Sequence, residues 1–168
     1  HLFQYSLEPE VYSFRLFDQL LEAAEKEGIT HFPIHIKLDT GMHRLGFMPE
    51  DMPRLIERLK SQNALIPKSV FSHFVGSDSP DFDDFTRHKA SSELQAACPH
   101  KIIRHICNSA AIERFPEAHY DMVRLGIGLY GVHPSGNAGL KNVNTLKTTI
   151  LQIKDLAQIE TVGYSRKG

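Results

Sequence analysis

KLDTGMHRLGF, Lys37 to Phe47, sets a charged, glycine-bearing turn directly after an apolar run. It continues the run FPIHIKL (32–38), in which apolar residues alternate as in a short strand. Within eight positions it then places a lysine, an aspartate, a glycine and an arginine. Such a strand end is either a solvated turn or a strand tip that carries chemistry. The pattern recurs downstream: FSHF (71–74), HICNS (105–109) and MVRLG (122–126) each bring polar or charged residues to the end of an apolar segment.

Helical patterns lie between these tips. Ser13 precedes FRLFDQLLEAAEKEG, where Phe14, Phe17, Leu20, Leu21 and Ala24 recur at helical spacing and Gly28 stands where a C-terminal cap belongs. PEDMPRLIERLKSQ (49–62) reads as a second helix, with Pro53 tolerated only in its first turn. SVFSHF (69–74) reads as a strand, VGSDSPDFDD (75–84) as a polar loop and DDFTRHKASSELQAAC (83–98) as a third helix. KIIRHIC (101–107) is a strand and NSAAIERFP (108–116) a short helical piece. DMVRLGIGLYG (121–131) is a strand carrying glycines, and LFQYSL (2–7) has mixed strand character. After the connection HPSGNAGLKNVN, the segment TLKTTILQIKDLAQIETVGY (145–164) alternates in the manner of a β-strand, with Thr149, Leu151 and Ile153 on one side.

Repeated strand–helix alternation predicts parallel strands joined by right-handed crossovers. In an α/β barrel the active site lies at the C-terminal strand ends, where these polar tips fall. A whole barrel needs roughly 200 residues or more, and this chain has 168. The expected fold is therefore α/β: the later strands of a (β/α)8 TIM-type barrel over 1–135, then a linker and the start of a β domain over 136–168. The missing initiator Met agrees with a chain that begins inside a longer product.

Composition narrows the functional classes. Hydrophobic content is 41%, charged content 23% and net charge −1, so the overall charge gives no case for binding nucleic acid or an anionic membrane. No apolar run approaches a membrane span, and the start lacks the features of a signal peptide. Cys98 and Cys107, nine apart, fit neither a metal-ligand spacing nor a disulfide framework, and read as reduced thiols. No H-x-x-x-H lies on a credible helix, so no metal site is expected.

Five motifs in order, KLDTGMHRLGF, FSHF, ICNSAA, MVRLGIGLYG and ETVGYS, resemble alanine racemases. These are pyridoxal-phosphate enzymes with an α/β barrel followed by a β domain. The resemblance runs from about residue 30 to 164, and implies a bacterial cytoplasmic homodimer that interconverts L- and D-alanine for peptidoglycan synthesis. It places the family's Schiff-base lysine upstream of this chain, which makes the segment alone inactive. It makes Tyr164 the second of two catalytic bases, reaching into the partner's active site.

The resemblance further implies the site roles that follow: Arg124 faces the cofactor's pyridine nitrogen, and His73 lies beside the ring. Ser109, Gly126 and Ile127 contact the phosphate, with Asn108 orienting its neighbours. Arg44 lies near the cofactor's phenolic oxygen and the substrate carboxylate, and Lys37 is the lysine that many relatives carbamylate to hold that arginine. Asp39, Thr40 and Gly41 build the turn. His31, His35, His88, His100, His105, His119 and His133 read as solvated or satisfied in the core. Different readings remain open: a broad-specificity amino-acid racemase, a non-catalytic pyridoxal-phosphate-binding barrel, or a folded fragment without activity.

Overall fold

A computed structural model describes residues 1–86, 102–133, 136, 139–153, 155, 157 and 158. Four parallel strands form one sheet in sequence order: β1 (Glu10–Val11), β2 (Phe32–Lys37), β3 (Leu65–Phe71) and β4 (Ile103–His105). Helix α1 (Phe14–Lys26) connects β1 to β2, and α2 (Met52–Lys60) connects β2 to β3. A short helix, α3 (Ser109–Arg114), follows β4. Parallel strands and crossover helices are those of a partial TIM-type barrel. Among the described residues no helix is long and apolar enough to cross a membrane.

Local chemistry explains the ends of α1. The Ser13 hydroxyl accepts from Leu16 N at its start. At its end Gly28 takes φ +67°, Gly28 N–H donates to Glu25 O, and Ile29 N–H donates to Ala24 O. That pair of bonds satisfies carbonyls the helix would otherwise strand, and glycine meets the left-handed conformation without steric cost.

The sheet has two unlike faces. One buries Val11, Ile34, Ile36, Leu65 and Val70 with Phe17, Leu20 and Ala24 of α1 and Leu55 of α2. The other carries Glu10, His35, Lys37, Ser69, Phe71 and His105. Leu65 and Val70 are five apart, so strict alternation would send them to opposite faces. A bulge resolves this: Ile34 pairs with Pro67, but the next residue, His35, pairs with Ser69. Pro67 has no N–H for the ladder, and the extra residue Lys68 turns Ser69 to the polar face.

The structure corrects several boundaries. LFQYSL is a turn, and the first strand is Glu10–Val11. The third strand begins at Leu65 and ends at Phe71, which leaves His73 in the loop beyond it. DMVRLGIGLYG is not a strand: one bridge, His105 to Met122, precedes a 3-10 turn over Ile127–Tyr130. Its glycines bring the backbone up to Ser109 instead of extending the ladder. Residues 145–153 are exposed and without regular structure, since a strand needs a partner and none stands among the described residues. Of the third helix only residues 83–86 are described, and Cys98, His88, His100 and Tyr164 lie outside the described residues. Cys107 is buried and free.

The loop after β2 closes on itself. Asp39 N donates to Phe47 O and Phe47 N to Lys37 O, both at 2.9 Å. The Asp39 carboxylate accepts from Gly41 N and His43 N. Thr40 Oγ1 lies 2.7 Å from Ser72 Oγ, which donates to Leu38 O. Gly46 completes the closure at φ +143°, where an added Cβ would stand 2.3 Å from Asp39 N. Gly46→Ala is therefore expected to cost about 2–4 kcal/mol through clash and backbone strain. A shift in the urea midpoint measures this.

Candidate functional site

Two cavities meet at the C-terminal edge of the sheet. One, about 390 Å³, is lined by Glu10, Lys37, Phe71, His73, His105 and Arg124 among others. The second, about 360 Å³, is lined by His73, Asn108, Ser109, Gly126 and Ile127, with the exposed Asp78 also in its wall. His73 borders both, so the two adjoin. Their volumes suit a small molecule, for which pockets of about 300–1,000 Å³ are usual.

Arg124 is the most heavily held side chain in the first cavity. Its backbone N–H donates to Cys107 O, which sets the chain beside the end of β4. Nη1 donates to His105 Nδ1 and to His105 O. Nη2 donates to Ser72 O at 2.6 Å and Ile106 O at 3.1 Å, with His73 Nδ1 at 3.4 Å. The guanidinium also lies over the Phe71 ring, 5.1 Å from its centroid. The Nη hydrogens are thus committed to strand-end acceptors, and Nε–H has no hydrogen-bond partner among the described residues. Five N–H groups in a rigid plane allow this division, which a lysine could not reproduce.

Two histidines flank that guanidinium, and both are neutral at pH 7. Burial, then the charge of Arg124, push His73 from the ordinary 6.5 down to about 4, and Arg44 and Lys37 add to the effect. Burial and Arg124 bring His105 to about 4 as well. Each group resists protonation in the folded state and accepts it freely once unfolded. Unfolding between pH 6.5 and 4 should therefore draw up to two protons from solvent onto these residues, and stability should fall as pH falls through that window. Urea midpoints across the window measure it, and His105→Gln should flatten the slope.

Lys37 ends β2 with its ammonium 3.6 Å from Glu10 and 4.9 Å from the centre of the Phe71 ring. Arg44 is exposed on the closed loop, and its side chain forms no ion pair among the described residues. The structure therefore brings Lys37, His73 and Arg124 to one cavity, and places Arg44 near enough for its charge to act on His73.

In the second cavity the Asn108 carboxamide caps α3, accepting from Ala111 N and from Ser77 Oγ. Ser109 Oγ accepts from Gly126 N at 2.9 Å and Gly128 N at 3.1 Å. A Cβ at Gly126 would meet Ser109 Oγ at 3.7 Å, and would take up room beside that hydroxyl. The two accepted bonds leave the Ser109 proton to be donated elsewhere. Asn108, Ser109, Gly126 and Ile127 are thus together, and the hydroxyl is a donor suited to an anion.

His105 is the residue the sequence reading set aside and the structure puts at the centre. It is 4% exposed, stacks on Phe71 at 4.7 Å, and touches both Arg124 and Ser69 Oγ. The available signal was parity: His105 precedes the core residue Ile106 as Lys37 follows the core residue Ile36.

Comparison with known proteins follows the same lines. A family model described as alanine racemase, N-terminal domain, matches residues 1–134. Alanine racemase 1 of Clostridium acetobutylicum is 38% identical over 178 aligned positions, covering 99% of this chain and 46% of that protein. The crystal structure of a biosynthetic alanine racemase from Pseudomonas aeruginosa superposes with a TM-score of 0.75 at 28% identity, covering 99% of this chain and 47% of the other. An alanine racemase from Bartonella henselae, solved with covalently bound pyridoxal phosphate, gives 0.71 at 25% identity over 84% of this chain and 40% of that one. The chain spans about half the length of the curated relatives it matches.

Proposed function

The chain belongs to the alanine racemase family, and from that premise we propose that it supplies the ring-nitrogen and phosphate side of an active site that interconverts L- and D-alanine. The carrying observation is Arg124, which lines the cavity: its Nη hydrogens are anchored on strand ends while Nε–H has no hydrogen-bond partner among the described residues.

The residues present fit pyridoxal phosphate. Arg124 Nε–H suits the ring nitrogen, and the Ser109 hydroxyl beside Gly126 and Ile127 suits the phosphate. When bound, that cofactor delocalises the electron pair left as the α-proton departs. Because a guanidinium donates and does not accept, Arg124 keeps the ring nitrogen unprotonated and moderates that delocalisation. A weaker electron sink disfavours side reactions such as transamination.

His73 Nδ1 lies 3.4 Å from Arg124 Nη2, and a donor-only guanidinium on that side favours the tautomer with the proton on Nε2. We assign that proton to the phenolate oxygen of Tyr164, which acts as one of two bases on opposite faces of the α-carbon. A phenol's ordinary pKa is about 10, so its anion needs such a donor and nearby positive charge. Arg44 serves the substrate carboxylate, which its planar fork matches. Carbamylation of Lys37 would replace the Glu10 pair with an anion for Arg44. Residues 1–135 belong to the barrel and 136–168 open the β domain, a division the family match over 1–134 supports. The Schiff-base lysine is supplied upstream and Tyr164 serves the partner's site in a homodimer. The isolated segment is then inactive, and the full-length protein is a cytoplasmic bacterial enzyme feeding peptidoglycan.

Full-length protein loaded with pyridoxal phosphate should convert L-alanine to the racemate, followed by chiral chromatography. Cofactor bound stoichiometrically with no racemisation would mark a carrier and overturn the reading.

A further inference from the structure

The polar face of the sheet carries a chain of hydrogen bonds that starts at the surface and ends on Arg124. His35 Nε2 lies 2.8 Å from Glu8 Oε2, and His35 Nδ1 lies 2.6 Å from Ser69 Oγ. Ser69 Oγ lies 3.1 Å from His105 Nε2, and His105 Nδ1 meets Arg124 Nη1. With His35 neutral, the two ends fix the direction of every bond, because a carboxylate only accepts and a guanidinium only donates.

His35 gives its Nε2 proton to Glu8, so neutral His35 accepts at Nδ1. The hydrogen for that bond is the Ser69 hydroxyl's own. With it committed, Ser69 Oγ accepts from His105 Nε2–H. His105 then presents the Nδ1 lone pair that Arg124 needs. The opposite His105 tautomer would set N–H against N–H at Arg124. Ser69 is 1% exposed, so water cannot easily replace a broken link. The bulge at Lys68 is what turns this serine to the polar face.

We propose that Glu8, His35 and Ser69 form a positioning relay that fixes the His105 proton on Nε2 and so holds the Arg124 guanidinium in its cavity. The relay is a property of the sheet; only what Arg124 goes on to touch rests on the racemase reading. Lys68 completes the surface end: its ammonium lies 2.6 Å from Glu8 Oε1 and, with His35, holds the Glu8 carboxyl below its ordinary range.

The test is nuclear magnetic resonance of full-length protein labelled with 15N in the histidine rings, with His105→Gln to assign the signal. It requires no activity, so failure of the racemase reading would leave it intact. Wild-type His105 should carry its proton on Nε2. Ser69→Ala removes the acceptor with little change in volume, and should speed exchange of that proton with water by at least ~10-fold. Ser69→Thr, which keeps the hydroxyl, should restore protection. Glu8→Ala frees His35 to adopt its other tautomer, and should shift the His105 ring signals although Glu8 makes no hydrogen bond to His105. A wild-type proton on Nδ1, or His105 signals unmoved by both Ser69→Ala and Glu8→Ala, overturns the relay.

Discussion

Arg124→Ala is expected to lower racemisation by the full-length protein about 10²–10³-fold, the scale seen when a preorganised donor is removed from a reacting site. It is also expected to cost about 2–4 kcal/mol of stability, because it strips partners from strand-end carbonyls. Ser72 O, His105 O and Ile106 O all receive this guanidinium, and no other side-chain donor reaches them among the described residues. The two losses separate in Arg124→Lys. One ammonium could reach a carbonyl and recover part of the stability. It could not span both strand ends and still offer a further N–H to the cavity. Little recovery of activity should accompany partial recovery of the urea midpoint. Equal recovery of both would mean that Arg124 acts only as a brace.

Tyr164→Phe should slow one direction of α-proton exchange sharply and spare the other. In the proposed two-base mechanism this phenol stands opposite the upstream lysine, each base serving one face of the α-carbon. Loss of a general base costs about 10²–10⁴-fold in the step it serves. In deuterium oxide one alanine enantiomer should therefore keep exchanging its α-hydrogen while the other slows by that factor. Equal slowing of both enantiomers would dismiss the two-base assignment for Tyr164. His73→Phe should weaken the same face more mildly, since it removes a donor to the phenolate and leaves the base in place.

Much of the fold was legible because it rests on local chemistry. Ser13 and Gly28 bracket α1 at the positions their side chains and backbone freedom dictate. FPIHIK alternates because one face meets α1 and the other faces the cavity. KLDTGMHRLGF answered its own question in two parts. Asp39, Thr40 and Gly46 are loop closure, Lys37 ends the strand with its buried ammonium beside Glu10, and Arg44 is an exposed charge on the loop.

What remained hidden was non-local. The Pro67–Lys68 bulge depends on registry with β2, so Ser69 looked like an ordinary strand residue. His105 was set aside with other histidines because its partners, Ser69 and Arg124, are 36 and 19 residues away. MVRLGIGLYG read as a strand from its apolar content. Its backbone is instead drawn to Ser109, where Gly126 N and Gly128 N share one hydroxyl. Alternation alone suggested a strand over 145–164; its described stretch 145–153 has no regular structure, because a strand forms only where another pairs with it.

In the proposed site, side chains from separate strand ends gather around one cofactor ring, with its nitrogen at Arg124 and its phosphate at Ser109. A crystal structure of the full-length protein with pyridoxal phosphate would show whether they do. The expected density puts Arg124 Nε within hydrogen-bond distance of the ring nitrogen and Ser109 Oγ within reach of the phosphate. A cofactor seated with its phosphate at Arg124, or bound away from both adjoining cavities, would contradict it.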